Sequence, residues 1–171
     1  MSNPQRFNVL NKRPEKIGQV LFVVLLALCG ATFMIGVDTT IVGVALPTIG
    51  RSLGADNTAL TWVVVGYTVT FGSLMLATGH LGDRFGYRRL FLIGVSIFCF
   101  ASAACGVAPD IWMLQVARLF QGIAAALINS TAMALLATTF AGQLQLRAFA
   151  IWGAVMGSSF AVGPVLGGGC S

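Results

Sequence analysis

Asp38 and Arg118 are each an ionisable residue set inside a long apolar stretch. A carboxylate or guanidinium at the centre of a membrane helix costs about 2.5–3.5 kcal/mol on insertion scales. Such a group turns toward neighbouring helices or a water-filled cavity, where proton relay and ion pairing are its usual uses. The rival reading is that each sits near an interface and snorkels. Arg118 would do so the more easily, since Asp110 lies about two helical turns away. Gln115, Arg118, Gly122, Ala125 and Asn129 recur at three- and four-residue steps and share one helix face, with Gln121 at its margin. A polar face on a lipid-embedded helix looks inward, which marks Gln115, Gln121 and Asn129 as cavity-lining residues. Interhelical hydrogen bonding at about 0.6 kcal/mol per contact is the alternative, and it accounts for Gln115 and Asn129 better than for Arg118.

The elements that must position these residues follow from composition. Hydrophobic residues make up 57% of the 171-residue chain and charged residues 9%, with a mean hydropathy of +0.88. A soluble domain carries about a quarter of its residues charged. The expected fold is therefore all-α, a polytopic transmembrane bundle of about five helices of roughly 20 residues each. The net charge of +5 does not indicate nucleic acid, because the basic residues sit in short gaps between apolar runs rather than along one helix face. Cys29, Cys99, Cys105 and Cys170 have neither metal-ligand nor redox spacing and read as small hydrophobes. His80 stands alone, and no nucleophile–base pair or phosphate loop is present, so an enzyme is not expected.

Residues 1–16 form a polar tail with Arg6, Lys12, Arg13 and Lys16, followed by a transmembrane domain over 17–171. From Ile17 to Val37 there is no charge, and the apolar run continues past Asp38 to Pro47. That exceeds the 7–15 residues or so of a signal-peptide core, and bulky Leu28 before Cys29 argues against a lipoprotein site. The first helix is read as uncleaved. Further spans are expected over Leu60–Leu81, Leu90–Val107 and Trp112–Phe140, with a fifth from Ala148. Asp56, Asn57 or Thr58 is available to cap the second. A charged turn covers Gly82–Arg89 and a loop covers Gly142–Arg147. Arg84, Arg88, Arg89 and Arg147 fall on the same side as the tail, which places the amino terminus in the cytoplasm of a multi-pass cell-membrane protein.

Four segments resemble the major facilitator superfamily, in its fourteen-helix drug:proton antiporter branch. Asp38 to Pro47 is similar to the drug-antiporter signature of the first helix, with Gly43 where the family usually carries asparagine. Gly79-His80-Leu81-Gly82-Asp83-Arg84-Phe85-Gly86-Tyr87-Arg88-Arg89 resembles the loop between the second and third helices, with Tyr87 where a basic residue is common. The resemblance implies that Gly79, Asp83, Arg84, Gly86 and Arg88 form a conformational switch, with Gly79 and Gly82 permitting close helix approach, Gly86 a tight turn, and Asp83 pairing with Arg84 and Arg88. Leu114 to Gly122 resembles the fourth-helix motif, which implies that Arg118 tunes the proton affinity of a nearby carboxylate, Asp38. Gly163, Pro164, Gly167 and Gly168 resemble the antiporter motif of the fifth helix, whose upstream glycines are replaced by Ala150 and Ser159.

On this resemblance the chain carries out proton-coupled efflux of a hydrophobic or cationic small molecule, driven by the proton gradient without a bound cofactor. Its partners are the lipid bilayer and the carboxy-terminal helices of a longer protein. Five helices lack the second half that alternating access requires, so the chain is expected to be an amino-terminal fragment that is inactive alone. A small membrane interaction protein is the alternative, and the DNA following the Ser171 codon discriminates between them.

Overall fold

Long apolar runs in hydrocarbon must satisfy their backbone hydrogen bonds internally, and only helices do this within one segment. A computed structural model of the chain follows that rule. It describes the backbone of residues 4–168 and the side chains of residues 18–162. Five helices follow one another: α1 (Pro4–Leu53), α2 (Asn57–Phe85), α3 (Tyr87–Gly106), α4 (Ile111–Thr139) and α5 (Gln143–Gly168). The fold is all-α, with no strand among the described residues. Within those residues four stretches are long and apolar enough to cross a membrane, namely Gly18–Leu53, Asn57–Phe85, Tyr87–Gly106 and Ile111–Thr139. Large apolar side chains point outward, with Leu76 84% exposed and Phe100 79%. A surface of this kind is matched to lipid tails, and the chain is a multi-pass membrane protein.

The junctions are tighter than expected. Asp56 caps α2, its Oδ1 accepting from the Ala59 N–H at 2.7 Å, and Asp110 caps α4 in the same way through Met113 at 2.8 Å. The turn expected over Gly82–Arg89 narrows to Gly86 alone. Gly86 adopts φ +88, a left-handed value that glycine reaches without a Cβ clash. Its N–H donates to the Gly82 carbonyl while its own carbonyl accepts from Leu90, so both flanking helices run up to it. The loop expected over Gly142–Arg147 is likewise shorter, because α5 begins at Gln143 and carries Arg147 within the helix. α1 runs on past Pro47, where the span was expected to end, to Leu53. Pro47 has no N–H to donate, and a membrane helix tolerates the loss of that one bond.

α4 is the central element. It packs against α2 and α3 along its length and against α1 more briefly, while α1 packs mainly on α5. Small residues set these distances. A Cβ on Gly122 would lie 2.7 Å from the Tyr67 carbonyl oxygen, so α4 meets the α2 backbone there. Gly94 admits Ile128 and Leu127 of α4 against α3. Between α1 and α5, Ser159 sits on Gly36 and the Trp152 indole donates to Thr32 Oγ1 at 2.9 Å. Phe98, Ile128 and Leu136 are fully buried at the centre.

A buried ion pair joining four helices

Three polar residues of α1 follow one another at Asp38, Thr39 and Thr40. The two threonine hydroxyls bond back to the carbonyls of Ile35 and Gly36 at 2.9 Å each, so α1 satisfies them itself. Asp38 has no such local outlet and reaches across to α4. There Arg118 Nη1 donates to Asp38 Oδ2 at 2.6 Å, and the same nitrogen donates to Gln121 Oε1 at 2.9 Å. Gln121 Nε2 in turn donates to Asp38 Oδ1 at 3.0 Å, which closes a three-membered ring of side chains. Arg118 and Gln121 are three residues apart on α4 and so lie on one face.

Two further helices complete the cluster. The Arg118 guanidinium lies over the Tyr67 ring of α2, its carbon 4.3 Å from the centroid, an attractive cation–π contact when desolvated. The close approach at Gly122, one turn beyond Arg118, brings Tyr67 to that position. From α3 the Cys105 thiol donates to Gln121 Oε1 at 3.4 Å. Burial is uneven: the Arg118 side chain is 2% exposed and that of Asp38 16%. Neither group snorkels. Arg118 Nε is buried without a hydrogen-bond partner, and among the described residues Arg118–Asp38 is the one ion pair.

The other candidate residues lie apart from this cluster. Gln115 Nε2 donates to the Ala59 carbonyl of α2 at 2.9 Å, an interhelical bond, beside a cleft of about 350 Å³ that Trp62 and Trp112 also line. Asn129 is buried in α4 and forms no hydrogen bond among the described residues. At the α2–α3 junction Asp83 accepts a hydrogen bond from the Tyr87 hydroxyl rather than pairing with Arg84 or Arg88. The Tyr87 ring rests on Gly82, whereas a Cβ on Gly79 would meet nothing within 4 Å. Arg84 lies over the Phe85 ring at 5.9 Å, and Arg88 lines a cleft of about 740 Å³ with Gln19, Phe91 and Leu135. Gly163, Pro164, Gly167 and Gly168 fall at the end of α5, outside the residues whose side chains are described.

Tyr67 and Cys105 are members of the cluster that sequence reasoning missed. Tyr67 carried a signal, a polar-tipped aromatic within an apolar run. Cys105 carried none, because its partner depends on how α3 is rotated against α4.

Comparison with known proteins bears on the whole arrangement. The profile of the Major Facilitator Superfamily matches residues 28–171. A puromycin resistance protein of Streptomyces alboniger is 40% identical over 145 residues, which cover 84% of this chain and 29% of that protein. A methylenomycin A resistance protein of Bacillus subtilis (strain 168) is 38% identical over 146 residues, 85% of this chain and 31% of the relative. A tetracenomycin C resistance and export protein of Streptomyces glaucescens is 39% identical over 145 residues, covering 84% and 27%. The chain thus spans about a third of the length of the curated relatives it matches.

Proposed function

The chain belongs to the major facilitator superfamily, and on that premise we propose that it supplies helices to a proton-coupled antiporter that exports hydrophobic or cationic small molecules. The observation that carries this reading is the buried Asp38–Arg118 pair between α1 and α4. A buried charge pair is weak support for stability alone, since apolar residues of similar volume often serve as well or better. Its presence in a lipid-embedded bundle points to use of the charge.

The chemistry is a single protonation. A proton taken up by Asp38 forms an O–H bond at Oδ2 and removes the negative charge, and the ionic contact to Arg118 Nη1 is lost. Arg118 then loses its counterion, which loosens the ionic tie between α4 and α1. Loss of the proton restores the pair. Asp38, the more exposed partner, is the one that exchanges protons with water, while Arg118 stays enclosed. Proton occupancy is thereby coupled to helix position, as antiport requires. The α2–α3 junction is the second moving part, with Gly79, Asp83, Arg84, Gly86 and Arg88 rearranging between states. The junction faces the cytoplasm of the cell membrane in this reading, because Arg84, Arg88 and Arg89 cluster there.

Names among the relatives are consistent with export of toxic compounds, since one is a resistance and export protein. The test is Asp38→Asn within the full-length transporter, reconstituted in proteoliposomes. Drug-driven proton release is expected to disappear while the protein still inserts. Proton release at the normal rate in that variant would remove Asp38 from the mechanism.

A further inference from the structure

Gln121 is fully buried and touches both members of the ion pair. A carboxamide is the side chain that both accepts and donates without carrying charge. Its orientation here is not arbitrary. Oε1 faces two donors, Arg118 Nη1 at 2.9 Å and the Cys105 thiol at 3.4 Å, while Nε2 faces the Asp38 carboxylate. A flipped amide would set nitrogen against the guanidinium and oxygen against the carboxylate, and both bonds would become repulsive contacts.

We propose that Gln121 is the positioning residue of the pair, holding Arg118 and Asp38 in place in both protonation states of the carboxyl. This rests on the reading of Asp38 as the proton carrier. The two carboxylate oxygens are already divided between partners, Oδ2 to Arg118 and Oδ1 to Gln121. When a proton binds, it adds to Oδ2 and breaks the contact with Arg118 there. Oδ1 becomes the carbonyl oxygen of a neutral acid and still accepts from Gln121 Nε2. Gln121 Oε1 still accepts from Arg118 Nη1, so a buried guanidinium keeps a partner at the moment its counterion is neutralised. The orphan Nε makes this matter, because Arg118 has no second bond from that nitrogen to fall back on.

The bond from Gln121 to the protonated acid has a spectroscopic signature. A hydrogen bond on a carboxylic C=O lowers its stretching frequency, whereas loss of the ion pair alone does not remove that bond. Acid-minus-neutral infrared difference spectra of the chain in lipid nanodiscs are expected to contain a protonated-carboxyl band that Asp38→Asn abolishes. In Gln121→Leu that band moves to higher wavenumber. Gln121→Met, closer in shape to glutamine and without the amide donor, gives the same upward shift and serves if the leucine variant does not fold. An Asp38 band at unchanged frequency in the folded variant overturns the positioning role and leaves the proton-carrier reading intact. A difference spectrum that Asp38→Asn does not alter overturns the proton-carrier reading itself.

Discussion

The same residue types do opposite things at two places in this molecule. Asp38 and Arg118 lie within helices, enclosed by four of them, with a charge-assisted bond at 2.6 Å. Asp83, Arg84 and Arg88 lie at the α2–α3 junction, exposed, with no ion pair among them. Attraction between opposite charges scales inversely with the effective dielectric, so the enclosed pair is bound to respond to neutralisation far more strongly. The exposed set trades partners at little cost and can take whichever acceptor a conformation presents. A committed pair suits a sensor of protons. An uncommitted set suits a latch between states.

The largest test of this contrast is to remove one partner from each. Arg118→Met leaves Asp38 largely buried without its counterion, and loss of one member of a buried pair costs about 3–5 kcal/mol. Unfolding in mixed detergent micelles should register that loss. Adding Asp38→Asn should recover most of it, because the stranded charge is gone. A cost below about 1 kcal/mol would mean that water reaches the pair and that the enclosed region is not distinct.

A second test uses glycines. Gly122 holds α4 against α2, where a new Cβ would lie 2.7 Å from the Tyr67 carbonyl and 3.0 Å from Thr70 Cβ. Gly122→Val should cost about 1–3 kcal/mol through overpacking and should shift the Arg118 guanidinium off the Tyr67 ring. Gly79, near the end of α2, has no atom within 4 Å of such a Cβ. Gly79→Ala should leave the unfolding midpoint unchanged or raise it slightly, since alanine is the better helix former. Equal losses at both sites would show that small-residue packing acts alike in the two regions.

The helices and the two intramembrane charges were legible in the sequence because each is a departure from a uniform background. A lone Asp or Arg in an apolar run stands out whatever surrounds it. The ring linking Asp38 to Gln121 did not, since the two residues are 83 positions apart and meet only through helix rotation and depth. Gln121 lay at the margin of the polar face by periodicity, and the Gly122 contact with α2 turned that margin into the centre. At the α2–α3 junction the opposite occurred. Glycines and charges read as a turn over Gly82–Arg89, but helical hydrogen bonding persists on both sides and Gly86 alone breaks it. Hydrogen-bond continuity outweighed local turn preference.

The smallest expected effect tests the exposed side of the comparison. The Tyr87 hydroxyl donates to Asp83 across Gly86. The contact is solvated, so water replaces it readily once the hydroxyl is removed. Tyr87→Phe and Asp83→Asn, singly and together, should therefore leave the unfolding midpoint where it is, with a coupling indistinguishable from zero. The same cycle at Arg118 and Asp38 should show a large coupling. Substantial coupling between Tyr87 and Asp83 would mean that the junction is locked by a specific bond in this conformation. The junction would then be held by a committed contact like the buried pair, and exposure would no longer separate the two regions.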